Sequence, residues 1–150
     1  VTVLPQAPAP APRPLPASPP HADLPQDRWD RHDLALLEGC WNLYTVVTVY
    51  NEDGTGGSKI RSWRQCFDGH GAGRQTIALE DGRQCEGALA ASFDPDAALR
   101  VTEPMPCYGT LHLSRSERLC RRLGDAEAEC SGRTVEGGLS GHNYTGRFRR

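Results

Sequence analysis

The chain is 150 residues long, enough for one domain and an appendage, and its 37% apolar and 7% aromatic content allows only a thin core. A formal charge of −2 is nearly balanced, which removes the electrostatic case for nucleic acid or an anionic membrane as a general partner. Six cysteines, none in a C-x-x-C pair, point to three disulfides in an oxidising compartment, periplasmic or secreted, and away from a metal cluster built on paired ligands.

No apolar run approaches the roughly 20 residues of a membrane span, so direct insertion by this chain is not expected. The first residue is Val1, and methionine occurs once. The sequence therefore reads as a mature or excised fragment, with any signal peptide or anchor upstream. Residues 1–26 hold nine of the twelve prolines. Pro8, Pro10, Pro12, Pro14 and Pro16 remove amide donors and fix φ, which predicts an extended polyproline linker of about 3.1 Å per residue. Such a stalk would hold the folded part, 27–150, away from an upstream domain or membrane.

Asp27 to Glu38 carries Leu34, Leu36 and Leu37 among charges and predicts a short helical turn that ends at Gly39. An alternating run then begins. Trp41, Leu43, Thr45, Val47 and Val49 share one face of a strand reaching Tyr50. The turn Asn51–Gly57 reverses the chain into Ser58–Phe67, and folding about residue 53 sets Leu43 opposite Trp63 and Trp41 opposite Gln65. Asp68–Gly73 turns into Arg74–Leu79, and Glu80–Gly82 into Gln84–Phe93. Asp94–Ala97 turns into Leu99–Glu103, after which Pro104 and Pro106 break pairing. Thr110–Leu123 and Ala126–Ser131 form a hairpin around Gly124-Asp125, and His142–Arg149 is the last strand. Sequential hairpins without helical connections predict an all-β fold: an up-and-down antiparallel barrel of about eight strands, with a two-sheet sandwich as the alternative.

The turns also discriminate among the 15 pairings that six cysteines allow. Two cysteines facing across a hairpin are nearly equidistant from its turn. Cys40 and Cys66 centre on residue 53, Cys85 and Cys107 on 96, and Cys120 and Cys130 on 125. All three midpoints fall on turns proposed without reference to cysteine, which predicts Cys40–Cys66, Cys85–Cys107 and Cys120–Cys130.

Gly39-x-Trp41 at the mouth of the first strand, after a short helical segment, resembles the G-x-W signature of calycins, the superfamily of lipocalins, avidins and small bacterial protease inhibitors. That resemblance implies a barrel closed at one end by Trp41, with an arginine of the last strand, Arg147 in preference to Arg149, over its indole. More faintly, Trp63 to Phe67 (WRQCF), Arg83 to Gly87 (RQCEG) and Leu119-Cys120 resemble C-terminal modules of bacterial envelope proteins of the SrfA virulence-associated type, which implies a periplasmic setting.

Catalytic chemistry finds little footing. His21, His32, His70, His112 and His142 form no short ligand motif, and no G-x-S-x-G elbow occurs. The glycines of Gly69–Gly73 suit a hairpin turn better than a phosphate loop, since no helix and no Lys-Ser/Thr follow. Arg115, Arg118, Arg121 and Arg122 read as a solvated basic edge. Glu103 is the unusual acid, on the inner face beside Leu99 and Val101, either reaching solvent or lining a cavity. The expectation is a non-enzymatic binding module without cofactor or metal, meeting an envelope protein or a polysaccharide through Asp53, Gly54 and Thr55 of one loop and His70 and Arg74 of another. A calycin-type proteinase inhibitor and a carrier of small apolar ligands are the alternatives. Peptide mapping under non-reducing conditions should recover the three sequential disulfides; a crossed bridge such as Cys66–Cys85 would overturn the hairpin register.

Overall fold

The computed structural model describes residues 23–51, 53–136 and 143–150. The proline-rich segment up to Ala22 that was expected to be a linker, Glu52 of the first turn, the Gly137-Gly138 pair and His142 lie outside the described residues. A short helix, α1 (Gln26–Asp30), and a 3-10 turn (Leu34–Leu37) precede ten strands. These are β1 (Gly39–Leu43), β2 (Thr48–Val49), β3 (Ser58–Phe67), β4 (Ala72–Leu79), β5 (Gln84–Phe93), β6 (Leu99–Thr102), β7 (Tyr108–Gly109), β8 (Ser116–Arg122), β9 (Glu127–Thr134) and β10 (Asn143–Arg149).

Eight of these strands close an antiparallel barrel in the order β1-β3-β4-β5-β6-β8-β9-β10, and β2 and β7 add short outer pairings on β3 and β5. Closure depends on β1, which pairs with β3 through Trp41 opposite Gln65 and with β10 through Leu43 opposite Phe148. Every long strand thereby gains a partner on both sides, and no extended edge is left to recruit another chain. The register follows the symmetry of the turns: Cys40 faces Cys66, Leu99 faces Phe93, and Cys120 faces Cys130.

Three segments depart from the sequence reading. The first expected strand splits, because Tyr44–Val46 leaves the β3 ladder and the pairing resumes one residue out of step, from Asn42 opposite Arg64 to Thr48 opposite Lys59. The Tyr44 amide donates instead to the Arg147 carbonyl of β10, at 3.0 Å, and Val46 is turned out to solvent. Residues 110–115, expected within a strand, form a loop, since Pro104 and Pro106 carry the chain outward before it can rejoin. Cys107 then meets Cys85 diagonally rather than face to face: Cys85 lies opposite Gly109, and the bridged Cα atoms stand 5.4 Å apart, against 4.0 Å in the other two disulfides. The packed unit also begins before residue 27. Leu24 is 1% exposed, its amide donates to the Asp125 carbonyl at 2.7 Å, and Arg122 donates to the Leu24 carbonyl at 2.6 Å.

One end of the barrel is shut. Leu24, Trp29, Leu36 and Leu37 pack onto Trp41, Phe67, Leu99, Val101 and Phe148, leaving a void of only about 20 Å3. Indole N–H groups tie this lid down: Trp29 donates to the Ala97 carbonyl and Trp41 to the Leu37 carbonyl, each at 2.9 Å. The arginine over Trp41 is Arg150, not Arg147. Its guanidinium carbon lies 4.3 Å from the ring centroid, while Nη1 and Nη2 donate to the Glu38 and Leu36 carbonyls at 2.7 and 2.9 Å. The pleat explains the correction. Tyr144, Gly146 and Phe148 point inward, so Arg147 points outward and pairs with Glu129 across the strands at 3.1 Å. Arg150 lies past the strand end and can fold over the barrel base, where Gly39 (φ 113°) has no Cβ to obstruct its Nη1. Arg150→Ala should cost about 1–2 kcal/mol in denaturant unfolding, whereas Arg147→Ala should stay within about 0.5 kcal/mol. Equal losses would remove the distinction drawn between the two arginines.

Candidate functional site

Halfway along the barrel the inward positions turn polar. Gln65 of β3, Gln75 of β4, Ser116 and Arg118 of β8, and Glu103 just after β6 are all buried. Tyr144 of β10 joins them, over Gly132 of β9, where a Cβ would run into its ring. Arg118 is 1% exposed and organises the layer. Its Nη2 donates to Gln65 Oε1 at 2.9 Å and Gln75 Oε1 at 3.2 Å, and its Nη1 reaches the Tyr144 hydroxyl at 3.4 Å and Glu103 Oε1 at 3.5 Å. The guanidinium carbon lies 4.9 Å from the Trp63 ring centroid, and the Trp63 indole N–H is itself held by Gln75 Oε1 at 2.9 Å. Glu103 accepts from Gln75 Nε2 at 2.8 Å, the Ser116 amide at 2.9 Å and the Ser116 hydroxyl at 3.2 Å. Burying either charge alone costs several kcal/mol; mutual compensation and these hydrogen bonds make the pair tolerable.

The polar layer divides the barrel interior. On its far side lies the packed, lidded end. On its near side a cavity of about 160 Å3 opens toward the segments that precede β3, β5 and β8. Val47, Val49, Ile60, Trp63, Ile77 and Leu113 wall it, and Glu103, Ser116 and Tyr144 make its floor. Tyr50, His112, Thr134 and Asn143 stand at its rim. Tyr108 packs edge-on against His112, with ring centroids 5.5 Å apart, and is 73% exposed. Met105 lies 67% exposed on the segment between Glu103 and Tyr108, and Val135, 40% exposed, follows Thr134. Tyr108 thereby sets an exposed aromatic ring beside the cavity-lining His112.

The loop residues singled out in the sequence do not meet. β3 runs ten residues, about 30 Å, from the Asn51–Gly57 turn at the mouth to the Asp68–Gly73 turn at the lidded end. Asp53, Gly54 and Thr55 are accounted for by the turn itself. Asp53 Oδ1 accepts from the Thr55 hydroxyl at 2.5 Å and its amide at 2.9 Å, bonds that hold its carboxyl below the usual range, and Gly54 (φ 79°) makes the reversal. His70 is exposed on a turn where its amide donates to Asp68 Oδ1 at 2.8 Å, and Arg74 is an exposed partner of Glu86 at 3.7 Å. A single binding surface built from both loops is ruled out by their separation.

Arg118 was read as part of a solvated basic edge, and the structure buries it. A signal for it existed: Ser116, Arg118 and Cys120 alternate on one face, and Cys120 had to turn inward to meet Cys130. Glu103 takes the cavity-lining option of the two held open for it. Among the described residues, no group of three or more His, Cys, Asp and Glu side chains is arranged to hold a metal ion, and no helix is long and apolar enough to cross a membrane. The three intrachain disulfides point to an oxidising compartment. No known family model, curated protein or solved structure matches the chain.

Arg118→Met should cost about 3–5 kcal/mol in denaturant unfolding, because it strands Glu103 in the interior. Adding Glu103→Gln should recover part of that loss. Additive losses in the double variant would show that the two charges are not coupled.

Proposed function

We propose that the chain is a non-enzymatic binding module of the bacterial periplasm or cell envelope, carried on a proline-rich stalk, and that it takes hold of a partner protein through the open mouth of its barrel. The observation that carries this reading is the 160 Å3 cavity with apolar walls and a polar floor, lined at its edge by half-exposed Tyr50 and by His112, on which exposed Tyr108 packs. Tyrosine is enriched in protein interfaces, and an apolar pocket with tyrosines at its edge suits one anchoring side chain of a partner. The cavity is too small for a long-chain lipid and comparable with a single ring. The calycin resemblance supports the same polarity of use, with a base shut by Trp41 and an end left open. The stalk and the faint likeness to envelope modules support the location.

The carrier of small apolar molecules is the second reading, favoured by the same cavity taken without its rim. The two separate in one experiment. A displayed peptide library panned on the disulfide-intact chain should yield binders that Tyr108→Glu or His112→Glu at the rim weakens at least about tenfold, and that Leu119→Glu on the outer wall leaves intact. Binders indifferent to the rim substitutions would overturn the mouth as the binding face. Failure to select any peptide, with small apolar molecules still quenching Trp63, would favour the carrier.

A further inference from the structure

We propose that the group received by the cavity is a phenol: the end of a partner's tyrosine side chain, with its hydroxyl donating a hydrogen bond to Glu103. This rests on the mouth being the binding face and adds the chemistry of what enters it.

Size comes first. A cavity of about 160 Å3 is close to the roughly 150 Å3 apolar cavity that holds a benzene ring, so one six-membered ring fills it. The aliphatic walls and the Trp63 ring suit an aromatic body, which gains edge-to-face contact as well as burial.

The hydrogen-bond inventory of the floor then chooses the polar end. Ser116 Oγ stands 3.2 Å from Glu103 Oε1 and can give it its proton. Tyr144 OH, 3.3 Å from Ser116 Oγ, can pass its own proton to that oxygen while accepting from Arg118 Nη1 at 3.4 Å. Both hydroxyl protons are thus directed toward the carboxylate. Glu103 Oε1 receives Gln75, Ser116 and Arg118, whereas Oε2 receives only the Ser116 amide at 2.9 Å. A carboxylate oxygen accepts two donors comfortably, so Oε2 retains acceptor capacity on a residue that lines the cavity. The floor offers an acceptor and withholds a donor.

Charge narrows the choice again. Arg118 and Glu103 neutralise each other, so the floor has no net charge to compensate a buried ion. A carboxylate would be repelled by Glu103, and an ammonium group would surrender its hydration for a carboxylate already shared with Arg118. A plain phenyl ring would bring no donor and leave the remaining acceptor capacity of Oε2, beyond the Ser116 amide, unused and shut off from water. A neutral O–H on a single ring meets every condition.

The test uses the full chain with its disulfides intact and three probes of one size: p-cresol, toluene and p-toluate, followed by amide and indole N–H NMR shifts. p-Cresol should bind about tenfold or more tightly than toluene, p-toluate should not bind, and shifts should centre on the Trp63 indole and the Ser116 amide. Glu103→Gln should relax the rejection of p-toluate. If that variant does not fold, the ranking of the three probes on the wild-type chain decides alone, with Ile60→Trp, which fills the cavity and leaves the polar layer intact, abolishing all three responses. Toluene binding as well as p-cresol, or p-toluate binding best, would overturn the assignment of a phenol while leaving the mouth as the binding face. No response to any probe, with rim-sensitive peptides still bound, would also overturn it. Loss of the rim-sensitive peptides is the separate result that defeats the mouth itself.

Discussion

Arg118 and Glu103 lie inside an eight-stranded barrel with almost no access to water, and the groups around them are arranged to compensate both charges, with only Arg118 Nε of the pair left without a hydrogen bond. A lone buried guanidinium would be intolerable at the stability of a small domain. Here it is surrounded by the carboxylate, two glutamine carbonyls, a phenol oxygen and an indole face contributed by strands far apart in the chain. That layer fills the barrel at mid-height. It prevents a deep cup and leaves a shallow one.

The two ends differ because different forces act on each. At the base, lid tryptophans, Leu24 and the Arg150 guanidinium replace water over Trp41, and burial of large apolar side chains dominates. At the mouth no such lid is seen among the described residues, and β2 and β7 are two-residue pairings. The disulfides compensate for a thin core. Loops of 26, 22 and 10 residues each contribute about 3 kcal/mol by limiting the unfolded chain, comparable with the total stability of many small domains. The Cys85–Cys107 bridge has a second consequence: it returns the chain to β5 after the prolines and so positions Tyr108 against the cavity-lining His112.

Much of the fold was legible because hairpins are local. Once the turns at 53, 96 and 125 were recognised, the pairing of neighbouring strands followed, and the cysteines gave three independent checks on it. The approach segment and the inward Trp41 were legible from alternation in the same way. Arg147 was misjudged because an arginine near the end of a strand was given a role without following the pleat through Phe148. The loops at 53 and 70, both expected to be contact loops, stand at opposite ends of the barrel because the whole of β3 runs between them. Arg118 was hidden by its charged neighbours at 115, 121 and 122, although its alternation with Cys120 was in plain view.

By itself the sequence determined the class of fold, the turn positions, the pairing of six cysteines and, away from the break between β1 and β2 and the loop at 110–115, the strand register, since each depends on period-2 alternation and on contacts between adjacent strands. Only the tertiary structure decided that β1 pairs with β10, that Arg150 covers Trp41, and that Glu103, Gln65, Gln75, Ser116, Arg118 and Tyr144 form one layer. The physical reason is closure. Bringing β1 back against β10 turns one face of every strand into a shared interior, and a shared interior couples residues that no local pattern connects.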